Sequence, residues 1–455
     1  MMRQIINPYT HQVITKLPDT TQADVEKAIG RAYALRPSFA KMPAHKRATI
    51  LARISALIES QADELAMLIV SECGKPLKYA KGEVSRAVET FSFASDVART
   101  IHGDSFSMDS ARGGVGKFAY TLRVPIGVIG AITPFNFPLN LVAHKIAPAL
   151  AVGCPIILKP APTTPLTALK LAEIAKEAGL PDGLLSVVTG DGDVGHWLTS
   201  DPRIAMITFT GSDAIAEKIS RVVGIRKAVY ELGGNAAVII DETANALSVV
   251  DKIAVGAFAY SGQVCISVQR AYIHRLQYDT FKTAFITRAE KLKLGDPQHP
   301  QTDMSVMISS SANERVSAWI AEAVASGAKI LTGGRVENDI FLPTILEDVP
   351  TTAKLIQQEA FAPVVCLIPF DDFDEAINRV NDSPYGLQVG VFTSDLGRVM
   401  TTTERLEVGG VIINDAPTFR VDNMPYGGVK RSGIGREGVR YAADEMTVTK
   451  LVVIS

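Results

Sequence analysis

Residues 127–160, GVIGAITPFNFPLNLVAHKIAPALAVGCPIILKP, carry the pattern that decides the fold. The apolar runs 127–133 and 154–160 are typical of buried strands, and the segment 139–152 between them has apolar residues at helical spacing. Further strands are predicted at 185–190, 204–211 and 227–234, with a second helix at 165–179. Repeated units of this kind, with nearly continuous apolar strands, predict a parallel sheet covered by helices on both faces. The fold class is therefore α/β, with ligand sites expected at the carboxyl ends of the strands.

The segments outside this region predict other elements. Apolar residues at helical spacing predict helices through most of the first hundred residues, over 21–35, 43–74 and 78–100. Residues 106–125 contain a glycine-bearing turn between two strand-like runs and predict a β-hairpin. A second run of strands and helices extends from about 233 to 415. The final strand, 445–454, has no hairpin partner beside it and is expected to pair elsewhere, with a subunit boundary as one possibility.

Composition and charge exclude several classes of protein. The chain has 455 residues, enough for two or three domains, and its 47% hydrophobic and 21% charged residues are ordinary for a soluble globular protein. A net charge of −2 gives no reason to expect nucleic acid or an anionic membrane as a partner. The longest apolar stretch, 146–158, is too short to span a bilayer, and the N-terminal residues lack the apolar core of a signal peptide. Four cysteines without a C-x-x-C pair predict neither a disulfide framework nor a metal site, so a cytoplasmic location is expected.

Two residues have side chains that could each take part in catalysis. Cys265, in SGQVCISVQR (261–270), could be a nucleophile if its thiolate is stabilised, although a free cysteine is more often a buried structural thiol. Cys73, Cys154 and Cys366 fit that structural interpretation. Glu231, in YELGGN (230–235), ends a predicted strand, where a carboxylate suits acid–base chemistry, although a solvated loop glutamate is as plausible.

Two further residues carry weaker signals. The amide of Asn136, in TPFNFP (133–138), could donate a hydrogen bond to a developing oxyanion, but asparagine at such a place is often only a turn residue. Lys159 closes a predicted strand, where it either meets water or holds ribose hydroxyls or phosphate.

A glycine pattern elsewhere in the sequence suggests a nucleotide-binding site. Gly190, Gly192 and Gly195, in SVVTGDGDVGHW (186–197), have the G-x-G-x-x-G spacing of a dinucleotide-binding loop. The pattern follows the third predicted strand of the series and not the first, and the acidic residue expected about 20 positions later is missing. We therefore interpret it as a tight strand-to-helix connection and not as the phosphate clamp.

Seven short motifs occur in a fixed order along the chain. They are TPFNFP (133–138), LKPA (158–161), FTGS (209–212), ELGGN (231–235), GQVC (262–265), EAFAPV (359–364) and PYGGVKRSGIGREG (425–438). In these motifs the sequence resembles the NAD(P)-dependent aldehyde dehydrogenase superfamily over essentially its whole length, and is most similar to members that oxidise lactaldehyde and other small polar or anionic aldehydes. The resemblance implies an aldehyde dehydrogenase-like fold. A Rossmann-type cofactor domain would comprise 1–105, 125–232 and 416–438, a catalytic domain 233–415, and an oligomerisation arm 106–124 with 439–455.

The resemblance also implies roles for particular residues. The catalytic set would be Cys265 as nucleophile, Asn136 with the Cys265 N–H as oxyanion donors, Glu231 as the base that activates water, and Lys159. Because relatives that transfer the acyl group to coenzyme A usually lack this glutamate, Glu231 favours a carboxylic acid product. The residues implied in binding NAD or NADP are Ile132, Thr133, Phe135, Lys159, Gly211, Ser212, Glu231, Leu232, Glu359 and Phe361.

Departures from the family pattern bear on specificity. Pro162 replaces a glutamate that binds ribose hydroxyls in NAD-preferring members, and the loss of a carboxylate that would repel a 2′-phosphate suggests that both cofactors are accepted. Asn140, His144, Val264 and Arg420 occupy positions implied in substrate binding. His144 and Arg420 favour a small polar aldehyde, with succinate semialdehyde and phosphono- or sulfoacetaldehyde as alternatives, while Val264 argues against a strongly anionic one. His144 and Arg420 also have structural explanations: His144 could be a capped histidine on a helix face, and Arg420 could form a surface or intersubunit ion pair.

Three further expectations complete the interpretation. The resemblance implies a homodimer or homotetramer. A catalytically silent relative would lack at least one of the four catalytic residues, and all four are present. A thioesterase-like hydrolase that used the cysteine without hydride transfer would lack the dinucleotide motifs, which are intact.

Overall fold

The computed structural model describes residues 2–455 and begins with a hairpin that the sequence did not predict. Strands β1 (Met2–Ile6) and β2 (Val13–Pro18) pair antiparallel. The predicted N-terminal helices follow as α1 (Gln22–Ala40), α2 (Ala44–Ser60), α3 (Ala62–Cys73) and α4 (Leu77–Thr100). The apolar faces of α2, α3 and α4 form one buried core with the helices on one face of the first parallel sheet, while most buried residues of α1 belong to a second core on its other face.

The hairpin predicted after these helices is present. A short strand, β3 (Ser105–Phe106), pairs antiparallel with β4 (Phe118–Pro125). The turn between them contains two short 3₁₀ segments, so the hairpin has one short arm and one long arm.

The first parallel sheet contains every strand predicted between 127 and 234. The elements are β5 (Val128–Ile132), α5 (Asn140–Val152), β6 (Ile156–Lys159), α6 (Leu166–Glu177), β7 (Leu185–Val187), α7 (Gly192–Ser200), β8 (Ile204–Thr210), α8 (Asp213–Val223) and β9 (Lys227–Glu231). The parallel strands lie in the order β9-β8-β5-β6-β7, so the strand before the glycine motif is an edge strand. Every residue of α5 is buried, which explains its nearly uninterrupted apolar sequence.

The second α/β run forms a separate seven-stranded sheet. Its elements are β10 (Ala237–Ile240), α9 (Ala246–Phe258), β11 (Arg270–His274), α10 (Arg275–Glu290), α11 (Ser310–Ala325), β12 (Lys329–Thr332), β13 (Val336–Glu337), β14 (Ile340–Phe341), β15 (Thr344–Glu347), α12 (Lys354–Gln357), β16 (Val364–Phe370), α13 (Phe373–Asn381), β17 (Tyr385–Gly386), β18 (Gln388–Phe392), α14 (Leu396–Arg405) and β19 (Gly410–Ile413). The strand order is β12-β15-β16-β11-β10-β18-β19, and only β12 runs antiparallel to its neighbour.

The C-terminal segment returns to the first sheet. It contains β20 (Val429–Lys430), β21 (Gly433–Ile434), α15 (Val439–Glu445) and β22 (Thr447–Ile454). Strand β21 pairs antiparallel with β9, and β22 pairs with all eight residues of β4. The last strand therefore finds a partner in the same chain, more than 300 residues earlier, and stands at the edge of its sheet. No helix within residues 2–455 has the length and hydropathy needed to cross a membrane.

Candidate active site

Most of the predicted site residues line one cleft of about 310 Å³ at the carboxyl ends of β5, β8 and β9. The predicted residues in its wall are Phe135, Asn136, Gly211, Ser212, Glu231, Leu232, Cys265, Glu359 and Phe361. A second cavity, of about 320 Å³, is lined by Ile132 and Lys159. Thr133, which follows Ile132 in the chain, is buried and lines neither cavity.

A strained turn presents Cys265 to the cleft. Helix α9 ends at Phe258, and the next residues include three in succession with left-handed backbone: Tyr260 (φ 51°), Ser261 (φ 54°) and Gly262 (φ 67°). Non-glycine residues in this region cost on the order of 1–3 kcal/mol each, so other contacts must hold the turn. The sharp reversal carries Cys265 back towards the sheet edge.

Hydrogen bonds from the turn hold this conformation. The Tyr260 hydroxyl donates to the backbone oxygen of Cys73 over 3.1 Å, and the Ser261 hydroxyl donates to that of Ser305 over 2.7 Å. Both side chains are buried, so these contacts are shielded from water. The nucleophile loop is therefore fixed before any ligand binds.

Asn136 is aimed at the same loop. Its side chain is buried, and Nδ2 donates to the backbone oxygen of Gln263, two residues before Cys265, over 3.0 Å. The Gln263 side chain in turn accepts a hydrogen bond from the Ile308 N–H over 2.9 Å. The amide is therefore held against the loop that carries Cys265.

Glu231 occupies a close-fitting, dry position at the end of β9. Its side chain is 2% exposed, and neither carboxyl oxygen has a hydrogen-bond partner among residues 2–455. A Cβ atom on Gly427 would lie 2.7 Å from Oε1, so only glycine leaves room for the carboxyl group. Burial, and then the negative charge of Glu437, raise the pKa of Glu231 well above its usual range. The dry site therefore favours the neutral form of the carboxyl group over the ionised form.

Cys265 touches a side chain that we did not predict to belong to the site. The hydroxyl of Tyr426 lies 2.8 Å from the cysteine Sγ. Burial raises the pKa of the Cys265 thiol to about 11, and the Tyr426 hydroxyl and the Arg420 charge both act in the opposite direction. The resting sulfur is therefore a thiol.

Behind the cleft lies an ionic cluster of five residues, Arg86, Lys145, Arg420, Asp422 and Glu437. Arg420 is 3.0 Å from Glu437, Lys145 is 3.1 Å from the same carboxylate, and Arg86 is 2.7 Å from Asp422. Burial acts to raise the pKa of Glu437, but Lys145 and Arg420 together lower it to about 2. Both carboxylates of the cluster are therefore ionised.

Three of the four predicted substrate residues, Asn140, His144 and Arg420, contact or belong to this cluster, and none of the four lines the 310 Å³ cleft. Asn140 and His144 lie one turn apart on α5, as their spacing predicted, and both bind Asp422, over 3.0 and 2.7 Å. The ion pair of Arg420 with Glu437 is internal, and not at the surface or between subunits as the structural alternative supposed. Val264 is half-buried beside the nucleophile.

Sequence reasoning missed Tyr426, Lys145 and Glu437. Lys145 could have been found, because a charged residue within a fully buried apolar helix needs a buried partner. Tyr426 and Glu437 lie within the quoted PYGGVKRSGIGREG motif, yet nothing in the motif indicates which of its side chains turn inward.

The other end of the site fits a dinucleotide. Lys159 ends β6 and is buried, and desolvation lowers the pKa of its amine to about 8 although Asp191 opposes the change. Ser212 precedes α8 and forms no capping bond with its side chain, so its hydroxyl stays available at the N-terminus of the helix, where a pyrophosphate can bind. The N–H of Gly234 donates to Glu359 over 3.1 Å.

The glycine motif borders this end of the site. Gly192 is the first residue of α7, so the helix begins within the motif, and both Gly192 and Gly195 line the 320 Å³ cavity. A Cβ on Gly195 would lie 3.6 Å from Lys159 Cδ, which is ordinary contact. The motif therefore sits beside the lysine, in a cavity that Ile215 and Ile219 of α8 also line.

Comparisons with known proteins agree with this geometry. Residues 2–452 match the model of the aldehyde dehydrogenase family. The chain is 44% identical over 454 residues to the 3-sulfolactaldehyde dehydrogenase of Priestia aryabhattai, covering 99% of this chain and 94% of that protein. It is 39% identical over 457 residues to the lactaldehyde dehydrogenase of Methanococcus aeolicus, covering 99% and 97%. The crystal structure of glyceraldehyde-3-phosphate dehydrogenase from Methanocaldococcus jannaschii complexed with NADP superposes with a TM-score of 0.96 at 38% identity, covering 99% of this chain and 98% of that one.

Proposed function

The chain belongs to the aldehyde dehydrogenase family, and from that premise we propose that it oxidises a small polar aldehyde, of the lactaldehyde or glycolaldehyde type, to the carboxylic acid. It is an NAD(P)-dependent aldehyde dehydrogenase. One observation carries the proposal: Cys265, Asn136 and Glu231 line a single small cleft that is backed by charged and polar side chains.

The chain's own residues account for bond formation and hydrolysis. The Cys265 sulfur attacks the aldehyde carbon, an S–C bond forms, and the carbonyl oxygen becomes an oxyanion bound by Asn136 Nδ2 and the Cys265 N–H. When bound, the dinucleotide accepts the hydride that leaves this carbon. Glu231 then takes a proton from the water that attacks the resulting thioester, the S–C bond breaks, and the acid and the cysteine thiolate are released.

Buried and unpaired groups support the assignment of the cofactor residues. Lys159, with one hydrogen bond to the Pro160 oxygen over 3.2 Å, would hold the adenosine ribose, and the N-terminus of α8 at Ser212 would hold the pyrophosphate. Phe361 packs edge-to-face against Phe135, with ring centroids 5.8 Å apart, beside the Glu359 that would bind the nicotinamide ribose. With Pro162 in place of a carboxylate, NAD and NADP are both accepted.

A pair of variants tests which residue holds the cofactor. Lys159→Ala should raise the cofactor Kd about tenfold, because a hydrogen bond to a charged group contributes roughly 1.5–3 kcal/mol. Gly192→Ala should change it by less than about twofold, because a Cβ there meets no atom within 4 Å and helical residues favour alanine. Fluorescence titration with each cofactor measures both values. An equal loss of cofactor affinity in the two variants would indicate that the glycine motif binds the phosphate.

The charges behind the cleft favour an anionic aldehyde as a second candidate. Three cations of the ionic cluster face two carboxylates. Burial, and then the nearby Arg420, lower the pKa of His144, so its imidazole adds no charge. The five residues of the cluster therefore carry one net positive charge, close to the buried carboxyl group of Glu231. A sulfonate, phosphonate or carboxylate on the aldehyde would neutralise it.

A substrate panel tests the proposal. It compares lactaldehyde and glycolaldehyde with succinate semialdehyde, phosphonoacetaldehyde and sulfoacetaldehyde, and with long-chain and aromatic aldehydes, using each cofactor. We expect the highest kcat/KM among the small polar aldehydes and a cofactor preference well below about 1,000-fold, or about 4 kcal/mol. The anionic aldehydes come first if the net positive charge of the cluster governs binding. Best activity on long-chain or aromatic aldehydes would contradict both candidates.

A homodimer or homotetramer is part of the same proposal. Strand β22 exposes apolar side chains on both of its faces, Leu451 and Val453 on one and Val448 and Ile454 on the other, and a second subunit would cover part of them. A cytoplasmic location is proposed because Cys73, Cys154 and Cys366 are all free thiols.

A further inference from the structure

Tyr426 brings a hydroxyl group into contact with the atom that begins the proposed reaction. Its Oη lies 2.8 Å from the Cys265 Sγ. The tyrosine is 3% exposed and forms a small buried cluster with Ile266 and Leu387, against which Cys265 packs. No other hydrogen bond to the cysteine sulfur exists within residues 2–455.

The environment of Tyr426 decides which group is the donor. Burial, and then the neighbouring Cys265, raise the pKa of the phenol well above its ordinary value, and Arg420 only partly offsets this. The phenol therefore keeps its proton over the whole working pH range. When the thiol ionises, its sulfur can only accept, and the tyrosine hydroxyl is the donor that faces it.

Tyr426 is held rigidly in this position. The guanidinium of Arg420 lies 3.6 Å from the centre of its ring, and Arg420 is fixed in turn by Glu437. The backbones of Tyr426 and Glu437 exchange two hydrogen bonds, of 3.0 and 2.6 Å. A donor fixed in advance stabilises a developing charge without paying for its own reorganisation.

We propose that Tyr426 is a catalytic residue whose hydroxyl donates a hydrogen bond to the Cys265 sulfur and stabilises the thiolate that attacks the aldehyde and later leaves the thioester. The tyrosine keeps its proton and forms no covalent bond, and the thiol proton passes to solvent. The inference rests on the proposed function, because it takes Cys265 as the nucleophile.

Tyr426→Phe tests the inference, since it removes one oxygen and keeps the ring beneath Arg420. The measurement is the rate at which iodoacetamide alkylates Cys265 in the cofactor-free protein across neutral and alkaline pH, with the site verified by mass spectrometry. We expect alkylation at neutral pH to slow about tenfold and the pH profile to move about one unit upwards, because one pKa unit is a tenfold change in thiolate. The value of kcat/KM should fall by a similar factor for every aldehyde.

Matched variants distinguish this role from a general effect of removing a buried hydroxyl. Tyr272 is also buried and donates its hydroxyl to a backbone oxygen, of Arg379, over 3.2 Å, so Tyr272→Phe should leave the alkylation profile unchanged. An unchanged profile in Tyr426→Phe, or a loss confined to 2-hydroxyaldehydes, would overturn the inference. If Cys265→Ala kept full turnover, the proposed function itself would fail; an inactive Cys265→Ala with an unaltered Tyr426→Phe would refute only the role of Tyr426.

Discussion

Cys265→Ala is expected to lower turnover by at least about 10⁵-fold, since removing the nucleophile from a site that forms an acyl-enzyme costs on the order of 10⁶ in kcat. No other sulfur can replace it, because Cys73, Cys154 and Cys366 are buried away from the cleft. The reaction is followed by the absorbance of the reduced nicotinamide after mixing with cofactor and aldehyde. Cofactor affinity should stay near its original value, because the residues at the adenosine end are untouched.

A cysteine elsewhere supplies the control. Cys154 is buried, donates its thiol to the backbone oxygen of Met446 over 3.4 Å, and does not line the cleft. Cys154→Ala therefore changes the same chemical group and should keep turnover near that of the unmodified protein. Retention of more than about one-hundredth of the normal rate by Cys265→Ala would exclude covalent catalysis at this residue.

Glu231→Gln should separate the two halves of the reaction. Without the base, hydride transfer still occurs once per active subunit, so a burst of about one reduced cofactor should precede a steady state slowed by about 10²–10⁴-fold. Glutamine has the shape of glutamate and fits beside Gly427, where a larger group would not. Rapid mixing with absorbance detection measures the burst and the slow phase together.

The pH dependence provides a second test of Glu231. Hydrolysis needs the ionised carboxylate, whose pKa is raised by burial and then by Glu437. The steady-state rate of the unmodified protein should therefore climb as pH rises above neutral, and this climb should vanish in Glu231→Gln. If Glu231→Gln shows no burst and is slow from the first turnover, Glu231 acts in the attack on the aldehyde and not in hydrolysis of the thioester.

Strands and helices were predictable wherever one local pattern determined them. The apolar runs of β5, β6 and β8 are buried on both faces, so their sequence alone indicates a covered parallel sheet. The hairpin of β1 and β2 was missed because its residues are largely exposed and lack an apolar pattern. The partner of β22 was not identifiable either, since it lies more than 300 residues earlier in the chain.

Some residues of the candidate site were likewise predictable from local sequence, and others were not. Cys265, Asn136 and Glu231 stand in short motifs, and the cleft brings them together. The partner of Lys145 was not predictable, because an ion pair between residues almost 300 positions apart leaves no trace in local spacing. Asn140 and His144 were correctly expected to face the same way, but their common partner, Asp422, comes from the far end of the sequence.

The return of the C-terminal segment to the first sheet has a consequence for synthesis on the ribosome. Cys265 is translated well before Tyr426, Gly427 and Glu437, and strand β21 reaches β9 only when the last few dozen residues have emerged. A nascent chain therefore carries its thiol without the hydroxyl beside it and without the glycine that confines Glu231. Chains truncated before residue 420 should be inert towards aldehydes, so the protein gains its reactivity only after residues 426–437 have been made and have folded back.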